Sequence, residues 1–210
     1  MSDTDHNGYV RAATRVLTSP TGGHYKFDAG AFSMELLTTG GPGPWQKYEI
    51  LHRPSDLVTW LTGSGMALDN PLAETDLRIG GRELARIKAF RDALWRIAPA
   101  LVHGEPADPR DLAVVNDAAG APPRTRLDPA TGRQAWVTPV TGTQVLAAAA
   151  RDAIDLLGTD RIGRLRQCQG RRCYLMFADT SRPGNRRWCS MERCGNLSKV
   201  AGYRARAAQA

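Results

Sequence analysis

CQGRRCYLMFADTSRPGNRRWCSMERC, residues 168–194, contains every cysteine of the 210-residue chain. Cys168 and Cys173 are separated by four residues, and Cys189 and Cys194 repeat that spacing fifteen residues further on. Two matched pairs around an interval of hairpin length are typical of a zinc site, because zinc prefers four tetrahedral ligands. Four thiolates leave no position for a water molecule. We therefore predict one structural zinc ion, bound by these four cysteines.

The residues between and after the cysteine pairs are suited to such a site. YLMFAD at 174–179 predicts a short strand, SRPGN at 181–185 a turn, and RRW at 186–188 the returning strand. A helix is predicted after Cys194. Because this segment has few apolar side chains, zinc would supply much of its folding free energy. A chelator should therefore unfold about 45 residues and spare the rest of the chain.

Other chemistries also use clustered cysteines, and three alternatives stay open. Disulfides are disfavoured in a reducing cytoplasm, the compartment expected for a chain with neither a signal-peptide pattern nor an apolar run of membrane-spanning length. A redox switch is compatible with the nearby arginines, since positive charge lowers the pKa of a thiol. Iron–sulfur clusters are also bound by four thiolates, although the paired spacing fits zinc better.

Charge is distributed unevenly along the chain. Residues 161–210 carry a formal charge of +10, whereas the first 160 residues carry −3. A basic segment of this kind is typical of nucleic-acid binding, because neutralising phosphates releases condensed counterions. A solubilising tail or a site for an acidic protein has the same composition. The residues predicted to contact nucleic acid are Arg182, Arg186, Arg187, Arg193, Lys199, Arg204 and Arg206.

Upstream of the basic segment, the sequence predicts an α+β body that is mostly helical. Residues 1–21 are expected to be a flexible lead-in. Within the body, at residues 22–160, we predict short strands at 24–28 and 31–39, helices at 56–61, 81–100 (ended by Pro99), 108–120 and 144–158, and a hairpin around 128–132. The predicted fold is therefore a helical domain with a small antiparallel sheet, followed by a treble-clef or ribbon-like zinc module at 161–210.

The body contains no pattern typical of catalysis. Neither a nucleophile–base pair nor a pair of carboxylates stands out, so we predict that the protein is not an enzyme. Aromatic side chains usually fill cores, and core packing is the first expectation for those of the body. The alternative interpretation is that these aromatic side chains line a small-molecule pocket. The residues concerned are Trp45, Tyr48, Trp60, Trp95 and Trp136.

CQGRRCYLMFADTSRPGNRRWCSMERCGNLSK, residues 168–199, closely resembles the CGNR zinc-finger family. It has both C-x4-C pairs, F-x-D-x-S-R, R-R-W-C-S-M and the Cys-Gly-Asn of the family's name. Leu197 stands where that name has arginine, so no role of that arginine is carried over. The body resembles the ABATE domain that accompanies this finger, through MELLTT at 34–39 and RELARIKAFRDALWRI at 82–97. Glu35 and Thr38 replace an aspartate and an asparagine typical of that domain.

The resemblance implies a bacterial, stress-induced transcription regulator whose finger binds DNA. We therefore predict a cytoplasmic DNA-binding regulator without a membrane partner. Its N-terminal domain would sense a small-molecule effector or form a homodimer. The alternative is a zinc module that binds RNA or a protein, attached to a non-catalytic ligand-binding domain.

Overall fold

The computed structural model describes residues 11–19 and 21–207, apart from the side chains of Ala205 and Arg206. Within these ranges the helices are Phe32–Leu36 (α1), Pro54–Thr62 (α2), Gly81–Val102 (α3), Pro109–Ala118 (α4), Gly142–Gly158 (α5) and Asn196–Ala207 (α6). The strands are Thr14–Thr18 (β1), His24–Asp28 (β2), Leu77–Arg78 (β3), Thr125–Leu127 (β4), Gln134–Trp136 (β5), Val140–Thr141 (β6), Leu165–Gln167 (β7) and Met176–Ala178 (β8). None of the described helices is long and apolar enough to cross a membrane.

The strands form four two-stranded sheets in the described part of the chain, and about half of the chain is helical. Three sheets are antiparallel: β1 with β2, β4 with β5, and β7 with β8. Strands β3 and β6 pair in parallel. The predicted α+β class with small antiparallel sheets is confirmed, and the hairpin expected around residues 128–132 is β4–β5.

Helix α5 lies at the centre of the body because its small side chains let other helices approach closely. Ala149, Ala150 and Ala153 are fully buried, and α1, α3 and α4 all pack against α5. Ile87 and Leu94, two turns apart on α3, are buried in the same core. The apolar stripes recognised in the sequence therefore meet in a single core.

The segment at residues 31–39, predicted as a strand, is instead helix α1 followed by a 3-10 turn at Leu37–Thr39. Phe32 to Leu36 are all buried, so their burial does not alternate as it would on a half-buried strand. Asp152 on α5 accepts a hydrogen bond from the backbone N–H of Ser33 (2.7 Å). A side chain distant in sequence thus caps α1, and local pattern could not reveal it.

Burial of Asp152 makes the stability of the fold depend on pH. Its carboxyl group is almost completely buried, which raises its pKa to about 6. The unfolded chain releases this proton near pH 4, whereas the folded chain keeps it up to about pH 6. Between these values the folded state binds more protons, so the free energy of unfolding falls as pH rises.

We expect Asp152→Asn to remove this fall. Between pH 4 and pH 7, the free energy of unfolding of the wild type should fall by up to about 3 kcal/mol relative to that of the variant. Urea unfolding at a series of pH values measures the difference, with Asp117→Asn on the exposed face of α4 as the control. Parallel curves for wild type and Asp152→Asn would contradict the assignment.

The segment at residues 11–19 is more ordered than the lead-in expected at 1–21. Strand β1 pairs with β2 along its whole length. Glu35, fully buried on α1, accepts hydrogen bonds from the Ala13 backbone N–H (3.0 Å) and from Arg15 Nε (2.6 Å). The expectation of flexibility therefore fails for these residues, because a buried carboxylate from another element holds them. Residues 1–10 lie outside the described ranges.

Helix α3 and the C-terminal module also differ from their predictions. Pro99 does not end α3, which continues to Val102 with the His103 N–H bonded to the Pro99 carbonyl (3.0 Å). A proline removes its own N–H and crowds the carbonyl of the preceding turn, yet α3 continues for one further turn after Pro99. Strand β8 pairs with β7, which the sequence did not reveal, and residues 186–188 form no strand.

Candidate zinc centre and nucleic-acid interface

The first cysteine pair lies in a tight turn between β7 and β8. Cys168 donates its backbone N–H to the Leu175 carbonyl, and Cys173 donates to the Gly170 carbonyl, both at 2.9 Å. A Cβ atom on Gly170 would lie 2.6 Å from the Sγ atom of Cys194. Glycine at this position therefore allows the backbone of the first turn to approach the second cysteine pair.

The second pair is held against the first by the start of the last helix. Cys189 donates its backbone N–H to the Sγ atom of Cys168 (3.1 Å). Cys194 lies in a π-helical turn at Met191–Gly195, and α6 begins directly after it. The helix predicted after Cys194 is confirmed, and it places this thiol beside a helix N-terminus, where negative charge is favoured.

The four sulfur atoms form a compact, buried cluster. All lie within 4.8 Å of one another, and Cys189 Sγ is 3.8 Å from Cys173 Sγ and 3.5 Å from Cys194 Sγ. All four cysteines are free thiols. Zinc–sulfur bonds of about 2.3 Å in a tetrahedron separate sulfurs by about 3.8 Å. The cluster therefore has the size and the ligand chemistry of a zinc site.

Electrostatics favour a bound cation whenever the four thiols are deprotonated. Burial raises the pKa of the Cys194 thiol to about 12, and the charges of Cys173 and Cys168 add to the effect. Four buried thiolates would repel one another strongly without a counter-charge. A divalent metal removes that repulsion, since thiolates are the form in which cysteine binds metal.

The module that contains the cysteines packs into the body. Ala178 on β8 donates its N–H to the Ala29 carbonyl (2.9 Å), and β7 packs against α3. Gly30 has a positive φ of 72°, and any Cβ atom there would collide with the Ala178 carbonyl. Phe177 and the four cysteines belong to the same buried cluster as the body. The zinc module and the helical body therefore share one core.

Arg186 links the module to the body and is only partly exposed. It donates through Nε to the Trp188 carbonyl (3.0 Å), through Nη1 to the Asp28 carbonyl (2.8 Å) and through Nη2 to the Cys189 carbonyl (2.5 Å). Its guanidinium group lies 4.1 Å from the centre of the Phe177 ring. These bonds engage the guanidinium group with acceptors of the protein itself, and the phosphate contact of Arg186 stays a prediction.

Arg193 is likewise bonded to other residues of the protein. Its Nη1 atom donates to the Tyr25 hydroxyl (3.1 Å) and lies 3.8 Å from the Sγ atom of Cys173. The guanidinium carbon is 4.8 Å from the centre of the Tyr25 ring. Arg193 therefore connects a cysteine of the cluster to β2, and its contact with nucleic acid stays a prediction.

Four of the other predicted cations are exposed: Arg182, Arg187, Lys199 and Arg204. The side chain of Arg206 lies outside the described residues. Arg187 and Lys199, together with Arg186, line a groove of about 980 Å³ beside the second cysteine pair. Lys26 of β2 lines the same groove, and sequence reasoning missed it. Its exposed position on an alternating strand was recognisable, but its proximity to the cysteines was not.

Leu197, at the position of the family's arginine, lies on α6 with 65% of its surface exposed. It lines a shallow depression of about 280 Å³ that also includes His24 and Val200. This surface is adjacent to the second cysteine pair but separate from the groove that contains Arg187 and Lys199. An exposed apolar side chain therefore replaces a charge there.

Family models match both parts of the chain. The ABATE model, described as "Putative stress-induced transcription regulator", matches residues 30–160. The CGNR zinc finger model matches residues 164–207. The first match covers more than half of the chain, so the protein belongs to the ABATE family and carries a CGNR zinc finger. A comparison with curated proteins finds no match. The class is thus a regulatory zinc-binding protein, and neither family is an enzyme family.

Proposed function

We propose that the protein is a transcription regulator that binds one zinc ion through Cys168, Cys173, Cys189 and Cys194 and binds duplex DNA beside that centre. The zinc ion has a structural role, since four thiolates close its coordination sphere. A regulator of this kind acts in the bacterial cytoplasm, where reducing conditions keep the thiols available for metal. Effector sensing by the N-terminal domain belongs to the same proposal, and homodimerisation remains a prediction.

The observation that supports DNA binding most directly is the groove next to the second cysteine pair. Lys26, Arg187 and Lys199 line it, and their charged groups form no ion pair with another described residue. Unpaired cations on a rigid support suit a phosphate backbone, because no ion pair has to be broken on binding. Arg187 and Lys199 come from the two sides of Cys189 and Cys194, so zinc would fix their separation.

The double variant Arg187→Ala/Lys199→Ala should weaken binding of duplex DNA by at least about tenfold. It should also make the slope of log K against log salt shallower by about two, since each lost phosphate contact removes about one counterion. Fluorescence anisotropy with labelled DNA at several salt concentrations measures both quantities.

Arg110→Ala/Arg124→Ala is the matched control, because it removes the same charge from exposed positions on the body. Its affinity and salt slope should stay close to those of the wild type. Equal behaviour of the two double variants would exclude the groove as the DNA site. Tighter binding of structured RNA than of duplex DNA would favour the alternative function instead.

A further inference from the structure

A cavity of about 440 Å³ lies between the N-terminal body and the first cysteine turn. This volume is in the range of small-molecule sites. Part of its wall comes from Gly40 and the 3-10 turn at Gly43–Tyr48, and another part from residues 172–175 of the zinc module. An occupant would therefore contact both parts of the protein at once.

Aromatic rings form the apolar part of this cavity. Trp45 stacks on Trp95 with a centroid distance of 4.5 Å and an interplanar angle of 10°. Tyr174, from the zinc module, packs edge-on against Trp45 with a centroid distance of 5.8 Å, and Tyr48 completes the group. Trp60 and Trp136, also considered from the sequence, do not line the cavity. A wall of this kind favours a planar aromatic ligand.

The position of the aromatic wall is set by two glycines. Trp95 donates its indole N–H to the Gly40 carbonyl (2.8 Å). Gly40 has a φ of 128°, a region that other residues avoid, and a Cβ atom on Gly41 would lie 2.5 Å from the Trp95 ring. The wall is therefore rigid before any ligand binds, which lowers the entropy cost of binding.

The charged groups of the cavity favour an anion. Lys47, Arg172 and Arg193 line it. Glu49, the one acidic residue of the described lining, is paired with Arg91 (2.8 Å) and Lys88 (3.1 Å) on α3. Its negative charge is thus already compensated, while Lys47 and Arg172 are exposed and form no ion pair with a described residue.

Tyr25 adds a directional group at the junction. Its hydroxyl accepts a hydrogen bond from Arg193 (3.1 Å), and no acceptor for its own proton is found among the described residues. Both side chains line the cavity. Arg193 also lies 3.8 Å from Cys173 Sγ, so a ligand that bonds to this pair would act on a neighbour of the cysteine cluster.

We propose that this cavity binds a planar aromatic anion, and that the bound anion is the effector through which the body regulates the zinc finger. The proposal of a ligand site is supported by the cavity, by its aromatic rings and by its unpaired cations. Its regulatory role rests on the DNA-binding function proposed above. Such an anion would stack against the Trp45 wall and place its charge between Lys47 and Arg172.

Isothermal titration of the full-length, zinc-loaded protein with 2-naphthoate, compared with the neutral 2-naphthamide, tests the site. The carboxylate should bind at least about tenfold more tightly than the amide. Lys47→Gln/Arg172→Gln should remove that preference, whereas Arg110→Gln/Arg124→Gln, which changes the net charge equally, should keep it. Equal affinity for the two probes, no binding of 2-naphthoate at millimolar concentration, or an unchanged preference in Lys47→Gln/Arg172→Gln would overturn the proposal.

The regulatory part is tested by DNA anisotropy with and without saturating 2-naphthoate. We expect the Kd for DNA to change at least about threefold in the wild type and to stay constant in Lys47→Gln/Arg172→Gln. Bound naphthoate with an unchanged Kd for DNA would overturn the effector role. A protein that binds naphthoate but no DNA at all would contradict the proposed function and leave the ligand site intact.

Discussion

Cys189→Ser should lose zinc binding and unfold at a temperature at least about 10 °C below that of the wild type. Serine cannot supply a thiolate, and structural zinc sites contribute about 10–16 kcal/mol of apparent binding free energy to folding. Cys189 also lies within 4 Å of both Cys173 and Cys194. The substitution therefore removes a ligand that contacts two of the other three cysteines. Native mass spectrometry measures the metal content, and circular dichroism follows unfolding.

The effect should reach beyond the last 45 residues. The sequence predicted that loss of metal spares the body, but Phe177 and the cysteines lie in the same core as the helices. Ala178 is hydrogen-bonded to Ala29, and Gly30 lies so close to the Ala178 carbonyl that no side chain would fit between them. We therefore expect proteolysis of Cys189→Ser to cut the body as well as the module.

Ser198→Ala, which changes a hydroxyl of α6 outside the cysteine cluster, is the control and should retain one zinc ion and the wild-type melting temperature. A Cys189→Ser protein with a full equivalent of zinc and unchanged melting would contradict the site. A protein without metal in which only residues after 160 become sensitive to protease would contradict the shared core.

Arg186→Ala should destabilise the fold by about 3 kcal/mol. The substitution leaves the carbonyls of Asp28, Trp188 and Cys189 without their donor and removes a cation packed on Phe177. For a chain of this size the loss corresponds to a fall in Tm of about 6–12 °C. Denaturant unfolding of the zinc-loaded protein gives the free energy directly.

The neighbouring residue supplies the matched comparison. Arg187 is exposed and lies 5.4 Å from the Trp188 ring, so Arg187→Ala should change stability by less than about 0.5 kcal/mol while weakening DNA binding. The substitution of Arg186 should thus lower stability, whereas that of Arg187 should lower the affinity for DNA. Equal losses of stability in the two single variants would show that Arg186 is not the structural one.

The candidate site was partly predictable because its most informative signal is local. The C-x4-C spacing identified Cys168, Cys173, Cys189 and Cys194 as one set, and the structure brings their sulfur atoms within 4.8 Å. Asp108 was predicted at the start of α4, and it accepts a hydrogen bond from the Arg110 N–H (2.8 Å). Caps and ligand spacings depend on nearby residues, so the sequence expresses them directly.

Features that depend on distant partners were not predictable. Residues 31–39 became a helix because Asp152 caps it from α5. Residues 11–19 became ordered because Glu35 accepts from Ala13 and Arg15. The partner of β8 is β7, on the other side of the first cysteine turn. In each case the stabilising contact joins residues that are separated in sequence. A periodic pattern describes only neighbouring residues and does not reveal such partners.

By itself, the sequence determined that this protein has a four-cysteine site, a basic C-terminal segment and a helical body. The tertiary structure alone decided how the basic residues divide. Arg186 and Arg193 are hydrogen-bonded to backbone carbonyls and to Tyr25, while Arg187 and Lys199 are exposed beside Lys26 in an open groove that Arg186 also lines. The physical reason is that composition counts charges, whereas the direction of a side chain depends on which acceptors the fold places within its reach.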